Sequence, residues 1–183
     1  MQNELLKINK PPYRFHIIHE SKQIQDLDDS LPKEEVRKYI SFGGFSSIAF
    51  VKFISEKAHI NQLYVSTLRV GAKHLTVLDV LHKQGKLDKV TFICGTVAKA
   101  GSQERRYNYY EHFLDVINKN KWEVIIYNNH SKILLFDTNK GDFVIETSSN
   151  LNENPNMEQF SFEQNKELFD FYKKVFSEIK RVK

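Results

Sequence analysis

A histidine, a lysine and an aspartate stand at close spacing in the C-terminal half of the chain, and further polar residues follow them. The segment reads His130-Ser131-Lys132, then Ile133-Leu134-Leu135-Phe136, then Asp137. It continues to Ser148-Ser149-Asn150 and to Asn156-Met157-Glu158. Together these side chains offer an imidazole, a cation, a hydroxyl, an amide and carboxylates, which are the groups that phosphodiester chemistry requires.

The spacing predicts a role for each group. An imidazole such as that of His130 can act as a nucleophile or as a general acid. Lys132 lies two positions along an extended strand and therefore faces the same way, where it can hold the phosphate. Ser148 and Asn150 share a face by the same rule and can donate to non-bridging oxygens. Asp137 is offset by five residues from Lys132, so we expect it to anchor a loop rather than contact substrate.

The H-x-K-x4-D segment, followed by S-x-N and N-x-E, resembles the signature of the phospholipase D superfamily. It is most similar to the short members from bacteria, phages and mobile elements that carry a single copy. The resemblance implies a phospholipase D-like fold and a metal-independent phosphodiesterase that needs no cofactor and works through a phosphohistidine intermediate. It also implies a set of catalytic residues, namely His130, Lys132, Asp137, Ser148, Asn150 and Glu158.

The chain contains one copy of this motif. His19 and His82 stand near lysines, but neither has a lysine two positions later. In the family, two such sets meet at one site, where one histidine attacks and the other protonates the leaving group. The resemblance therefore implies a homodimer in which two copies of His130 face each other across a twofold axis.

Two features depart from the family pattern. Nine residues, 138–146, separate Asp137 from Thr147, which is longer than the usual stretch. The sequence Thr138-Asn139-Lys140-Gly141-Asp142 between two apolar runs predicts a hairpin turn that would absorb the extra length. Thr147 stands where glycine is common, and its Cβ would lie near the phosphate.

Composition fits one globular domain over residues 1–183, with about 1–45 as a peripheral N-terminal segment. The 183 residues are 40% hydrophobic and 27% charged, with a net charge of +4 and a pI of about 9.0, which suits a polyanionic partner such as nucleic acid, with DNA favoured. The single cysteine, Cys94, excludes an intramolecular disulfide. We find no leader sequence and no transmembrane stretch, so we expect a cytoplasmic protein with no membrane partner.

Apolar periodicity predicts an α/β fold, with a mixed β-sheet covered by helices on both faces. A helix is expected from Pro32 through Ile40, ending at Gly43-Gly44. Further helices are expected after Ser46 or Ser47, around Leu75–Leu81, from Tyr107 to Ile117 and from Leu168 to Ile179. Strands are expected at 15–18, 60–66, 89–94, 122–127, 132–137 and 143–147.

Loops that follow strands provide candidate substrate-binding residues, because ligands of α/β sheets bind beyond the carboxyl ends of the strands. The candidates are Arg69, Lys99, Arg105 and Arg106. The basic loop that carries the last three is also compatible with a solvated connection to the next helix. His16, His59, His74 and His112 lack metal-ligand spacing, so no metal site is expected.

Three functions remain open. The first is a nuclease or nucleic-acid phosphodiesterase, favoured by the basic balance and the single motif. The second is a lipid phosphodiesterase with the same mechanism, which lacks support because no amphipathic anchor rich in Trp and Lys is visible. The third is a catalytically silent nucleic-acid-binding or assembly module, for which Thr147 is the one indication.

Overall fold

A computed structural model describes residues 11–19, 23–95, 109–152 and 155–179. Within these ranges one eight-stranded sheet is flanked by α-helices, and a short 3₁₀ helix spans Gln23–Asp26. The strands are β1 (Tyr13–Ile18), β2 (Val36–Ser41), β3 (Ile60–Thr67), β4 (Leu87–Gly95), β5 (Glu123–Tyr127), β6 (Ile133–Thr138), β7 (Gly141–Thr147) and β8 (Glu158–Gln164). The helices are α1 (Ile48–Lys57), α2 (Ala72–Lys83), α3 (Tyr109–Asn120) and α4 (Lys166–Ile179).

The strand order is β1-β2-β8-β7-β6-β3-β4-β5. Strands β1 and β2 are parallel, as are β3, β4 and β5, whereas β6 and β8 run antiparallel to their neighbours. Six strands therefore end, and β6 and β8 begin, at one edge of the sheet. We call this the polar edge, and it is marked by Ser41, Thr67, Gly95, Tyr127, Ile133, Thr147 and Glu158.

Helices cover both faces, as the sequence predicted, and the α/β class with a mixed sheet is confirmed. Buried residues of α1, α2 and α3 share one core with the sheet. The opposite face carries α4, whose Phe169 and Phe176 pack with Leu135 and Val144 of the sheet. The hydroxyl of Tyr172 in α4 also donates a hydrogen bond to Glu146 of β7. The apolar side of α4 that the sequence predicted is thus the side that packs against the sheet.

The predicted helix from Pro32 through Ile40 is wrong, because Val36–Ser41 forms strand β2 and residues 32–35 are not helical. Tyr39 is buried opposite Phe160 of β8, and Ile18 of β1 pairs with Ser41. Pairing on both sides outweighs the helix-start signal of Pro32, since a strand between two partners satisfies all of its backbone groups. In the described part of the segment 1–45, β1 is an edge strand of the sheet and β2 lies beside it.

Strand β8 was not predicted, although its Phe160 and Phe162 alternate with polar residues and both are buried. The other predicted strands and helices are present, with ends that differ by a few residues, except that Tyr107, the expected start of the third helix, lies outside the described residues. No helix in the described ranges is long and apolar enough to span a bilayer.

The hairpin between β6 and β7 lies at the edge opposite the polar edge. Asp137 pairs with Asp142, and Gly141 has a φ of +116°, which favours glycine. The Thr138 hydroxyl donates to the Gly141 carbonyl at 2.7 Å and accepts from the Lys140 amide at 3.1 Å. The extra residues between Asp137 and Thr147 therefore lengthen the hairpin away from the polar edge.

Candidate functional site

His130 and Lys132 lie in the connection from β5 to β6, at the polar edge. The Lys132 Nζ is 3.1 Å from the His130 Nδ1 and donates to the His130 carbonyl at 2.6 Å. The His130 side chain is exposed, whereas Lys132 is half-buried. The Thr147 amide donates to the Lys132 carbonyl at 3.1 Å, which ties the end of β7 to this connection. The two side chains thus meet, although residues 130–132 precede β6 and were expected in a strand.

Ser148 and Glu158 form the adjacent part of the site. Ser148 directly follows β7, and its hydroxyl donates a hydrogen bond to the Glu158 carboxylate. The same oxygen accepts from the Gln159 amide at 3.0 Å. Glu158 begins β8 and is only 6% exposed. A buried carboxylate is stable as an anion only with donors and cations around it, and Ser148 is one of these donors.

Lys132 is electrostatically linked to Glu158. Burial lowers the pKa of the Lys132 ammonium below its ordinary value, and the negative charge of Glu158 opposes this effect. Glu158 therefore helps to keep Lys132 charged while the protein partly shields it from water. The result is a half-buried cation next to an exposed imidazole, which suits binding of a phosphate group.

Asn150 is held by the end of β3. Its Oδ1 accepts a hydrogen bond from the Leu68 amide at 3.2 Å and a weaker one at 3.3 Å from the Thr67 hydroxyl, which shares its single proton with the Arg69 carbonyl. The Thr67 hydroxyl also accepts from the Leu151 amide at 3.1 Å. Because the carbonyl oxygen of the Asn150 side chain faces these donors, its amide nitrogen is the group that can donate to an anion.

Thr147, the residue that replaces the usual glycine, is engaged with the backbone at the end of the sheet. Its hydroxyl donates to the Gln159 carbonyl at 2.8 Å and accepts from the Ser149 amide at 2.9 Å. These bonds fix the turn that carries Ser148 and Ser149. The threonine hydroxyl is thus directed to β8 and to this turn.

The structure separates Asp137 from the rest of the predicted site. It lies near the end of β6 that is remote from the polar edge, roughly 16 Å from Lys132 at about 3.3 Å per residue along the strand. Its carboxylate accepts a hydrogen bond from the Asn61 side chain at 3.0 Å. The expectation that Asp137 anchors a loop stays a prediction.

Arg69 lies in the loop after β3, at the polar edge, and is exposed. The Thr67 hydroxyl donates to its carbonyl at 2.8 Å, so the loop is tied to the strand end. Lys99, Arg105 and Arg106 lie outside the described residues. Their role in binding stays a prediction.

Sequence reasoning missed Asn129 and the role of Ser66. Both are polar residues beside strand ends of the polar edge, and Asn129 directly precedes His130. Polar residues at the carboxyl ends of buried strands are a usable signal for a site. In the described part of the chain, no group of three or more His, Cys, Asp or Glu side chains is arranged to hold a metal ion.

Comparisons with known proteins identify the fold. No protein-family model matches the chain, and no curated protein matches it. Among solved structures, Nuc from Salmonella typhimurium, a phospholipase D family member, aligns with a TM-score of 0.58 at 14% identity. The alignment covers 80% of this chain and 93% of that one.

Polyphosphate kinase from Porphyromonas gingivalis aligns with a TM-score of 0.56 at 10% identity, over 73% of this chain. The chain spans only 23% of that larger protein. A third structure, the archaeal chromatin protein TrmBL2, reaches a TM-score of 0.47 at 15% identity, with 77% of this chain and 50% of that one covered. At these identities the likeness to Nuc and to polyphosphate kinase shows a shared fold. The chain therefore has a phospholipase D-like fold.

Proposed function

We propose that the protein is a metal-independent phosphodiesterase that cleaves nucleic acid, with DNA as the favoured substrate, through a covalent intermediate on His130. The observation that carries this proposal is the contact between Lys132 and His130 beside the Ser148–Glu158 pair. All four side chains lie at one edge of a phospholipase D-like sheet, where ligands of α/β proteins bind.

In the proposed first step Lys132 turns from the His130 Nδ1 to the phosphate, the neutral imidazole carries its proton on Nδ1, and its Nε2 attacks phosphorus. A P–N bond forms, the P–O bond to the leaving group breaks, and that oxygen takes a proton from His130 of the partner subunit. In the second step the neutral imidazole of the partner subunit's His130 removes a proton from water, which attacks phosphorus and breaks the P–N bond. Each histidine thus returns to its starting protonation state.

The remaining side chains bind and orient the phosphate. Lys132 neutralises its charge in both the ground state and the transition state. The Asn150 amide donates to a non-bridging oxygen, as the Ser148 hydroxyl does once it turns from Glu158. Glu158 supports the charge on Lys132 and orients Ser148, so it acts through these two groups rather than on phosphorus.

The choice of nucleic acid rests on charge. The chain carries 27 basic and 23 acidic residues, and its pI is about 9.0. Backbone phosphates of DNA give binding energy to any basic surface of suitable shape. This argument favours DNA over a neutral lipid headgroup, and the substrate assay decides between them.

The test is cleavage of fluorescently labelled single-stranded and double-stranded DNA, with vesicles of phosphatidylcholine in a parallel reaction. We expect DNA cleavage that continues in EDTA, because no step uses a metal ion. Complete loss in EDTA that magnesium restores would overturn the metal-independent mechanism. Cleavage of the lipid alone would move the substrate to the lipid class, and DNA binding without cleavage would support a silent module.

The shared site has its own test. Wild-type protein is mixed with His130→Asn protein in rising proportion, and subunits are allowed to exchange. If each site needs His130 from both chains, activity falls as the square of the wild-type fraction. A fall in direct proportion would show that one chain suffices, and sedimentation of a strict monomer at micromolar concentration would exclude the dimer.

A further inference from the structure

The residue before the proposed nucleophile is bonded to two strands through its side chain. Asn129 is half-buried in the connection between β5 and β6. Its Nδ2 donates to the Ile93 carbonyl of β4 at 2.8 Å and to the Ser66 hydroxyl of β3 at 3.0 Å, with the Thr67 carbonyl at 3.4 Å. The connection is therefore fixed to the ends of β3 and β4 by one amide group.

The other half of the same amide holds the backbone around His130. The Asn129 Oδ1 accepts from the Ser131 amide at 2.9 Å and from the Ser131 hydroxyl at 2.7 Å. A side-chain oxygen that accepts from the amide two residues later closes an Asx turn. His130 is the central residue of this turn, so Asn129 restrains the backbone from which the imidazole projects.

Asn129, Ser66 and Ser131 form a closed ring of hydrogen bonds. The Ser66 and Ser131 hydroxyl oxygens are 2.6 Å apart. One proton arrangement satisfies every contact: Asn129 donates to Ser66, Ser66 donates to Ser131, and Ser131 donates to the Asn129 oxygen. Rotating the amide by 180° would place its oxygen against the Ile93 carbonyl, which offers no hydrogen, so the amide has one orientation.

The main chain of Asn129 is also held in place, because it packs against the end of β4. A Cβ placed on Gly95, the last residue of β4, would lie 2.8 Å from the Asn129 carbonyl oxygen and 2.5 Å from the Leu68 Cδ1. The Asn129 backbone therefore packs directly against the end of β4, at a distance that only glycine permits. Both the side chain and the main chain of Asn129 are held at the polar edge.

We propose that Asn129 is a positioning residue that sets the direction in which His130 attacks phosphorus, and this inference rests on the function proposed above. Lys132, Ser148 and Asn150 contact the phosphate through side chains outside the ring, so binding of the substrate does not depend on Asn129. Attack does depend on it, because a displacement of about 1 Å at a reacting group can reduce a rate by about 10²-fold.

The test compares Asn129→Ala with Asn128→Ala, which makes the same change at an exposed neighbour. Single-turnover cleavage of labelled DNA is measured over a range of enzyme concentrations, which gives the maximal rate and the half-saturating concentration from one titration. We expect Asn129→Ala to lower the maximal rate by about 10²-fold and to leave the half-saturating concentration near the wild-type value. Equal rates for the two variants, or a rate loss explained by weaker binding, would overturn the proposal.

A second variant keeps the test decisive if Asn129→Ala does not fold. Ser66→Ala opens the ring but retains the bond from Asn129 to the Ile93 carbonyl, so a smaller fall in maximal rate with unchanged half-saturation is expected. An unchanged maximal rate in Ser66→Ala would show that the ring of hydrogen bonds does not position His130. If the wild-type protein cleaves no phosphodiester, the proposed function fails, and hydrogen exchange of the Ser131 amide then decides whether Asn129 holds the turn. Faster exchange in Asn129→Ala than in Asn128→Ala supports that role, and equal exchange overturns it.

Discussion

Replacement of His130 by asparagine separates catalysis from binding. The imidazole is exposed, so its loss should change the free energy of unfolding by no more than about 0.5 kcal/mol. The substitution leaves the backbone in place, so Lys132 keeps its hydrogen bond to the carbonyl of residue 130, now 2.6 Å long. The Nε2 has no counterpart in asparagine, and this is the atom that attacks phosphorus.

The expected magnitudes follow from these contacts. With no nucleophile, single-turnover cleavage should fall by at least about 10⁴-fold, or about 5.4 kcal/mol in activation free energy. Affinity for DNA should stay within about threefold, about 0.7 kcal/mol, because contacts to backbone phosphates dominate such binding. The assay is cleavage of labelled DNA with excess enzyme, alongside equilibrium binding by anisotropy.

His59→Asn is the matched control, because His59 precedes β3 at the edge opposite the site and contacts Asp88 instead. This variant should cleave at the wild-type rate. If His130→Asn also cleaves at the wild-type rate, the covalent mechanism is refuted. If both cleavage and binding are lost in His130→Asn while the protein remains folded, His130 binds the phosphate rather than attacks it.

Three further predictions concern charge, the remote aspartate and the core. Because burial lowers the pKa of Lys132, its charge should be lost at a lower pH than that of an ordinary lysine, and affinity for DNA should decline with it. The decline should begin at a still lower pH in Glu158→Gln and should be absent in Lys132→Arg, whose guanidinium stays charged. Binding titrations from neutral to alkaline pH measure this. Lys132→Ala should weaken binding and cleavage together. If affinity for DNA still declines with rising pH in this variant, Lys132 is not the group that causes the decline. Asp137→Asn should retain the wild-type cleavage rate and cost less than about 1 kcal/mol of stability, because Asp137 contacts Asn61 at the far end of β6; a rate loss equal to that of Lys132→Ala would place it in the site. Phe50→Ala should lower the free energy of unfolding by about 3–5 kcal/mol in urea titrations, because Phe50 is 0% exposed and packs on Tyr39, Phe45 and Phe160; a loss below about 1 kcal/mol would contradict this packing.

Local patterns in the sequence determined the parts of the site that lie close together along the chain. His130 and Lys132 are two positions apart, and their side chains meet in the connection that leads into β6. The turn at Gly141 follows from the tolerance of glycine for a positive φ. The apolar stripe of α4 and most strands were likewise visible, because each buries one face against the sheet.

Tertiary structure decided which distant residues join them. Ser148 contacts Glu158 because β7 pairs with β8 in one register, and a strand's register depends on the partner it packs against. The helix expected at Pro32–Ile40 became β2 for the same reason, since pairing with β1 and β8 outweighs a local helix signal.

The contacts of Asn129 were likewise decided by the tertiary structure. Its bonds to Ser66 and Ile93 exist only once β3, β4 and the connection before β6 come together at one edge. Nothing in the sequence around position 129 specifies these partners, which lie more than thirty residues away at 63 and 36 positions of separation. The sequence by itself thus determined the reactive groups and their local spacing, whereas the sheet decided what holds them, because hydrogen bonds between distant residues depend on strand order and register.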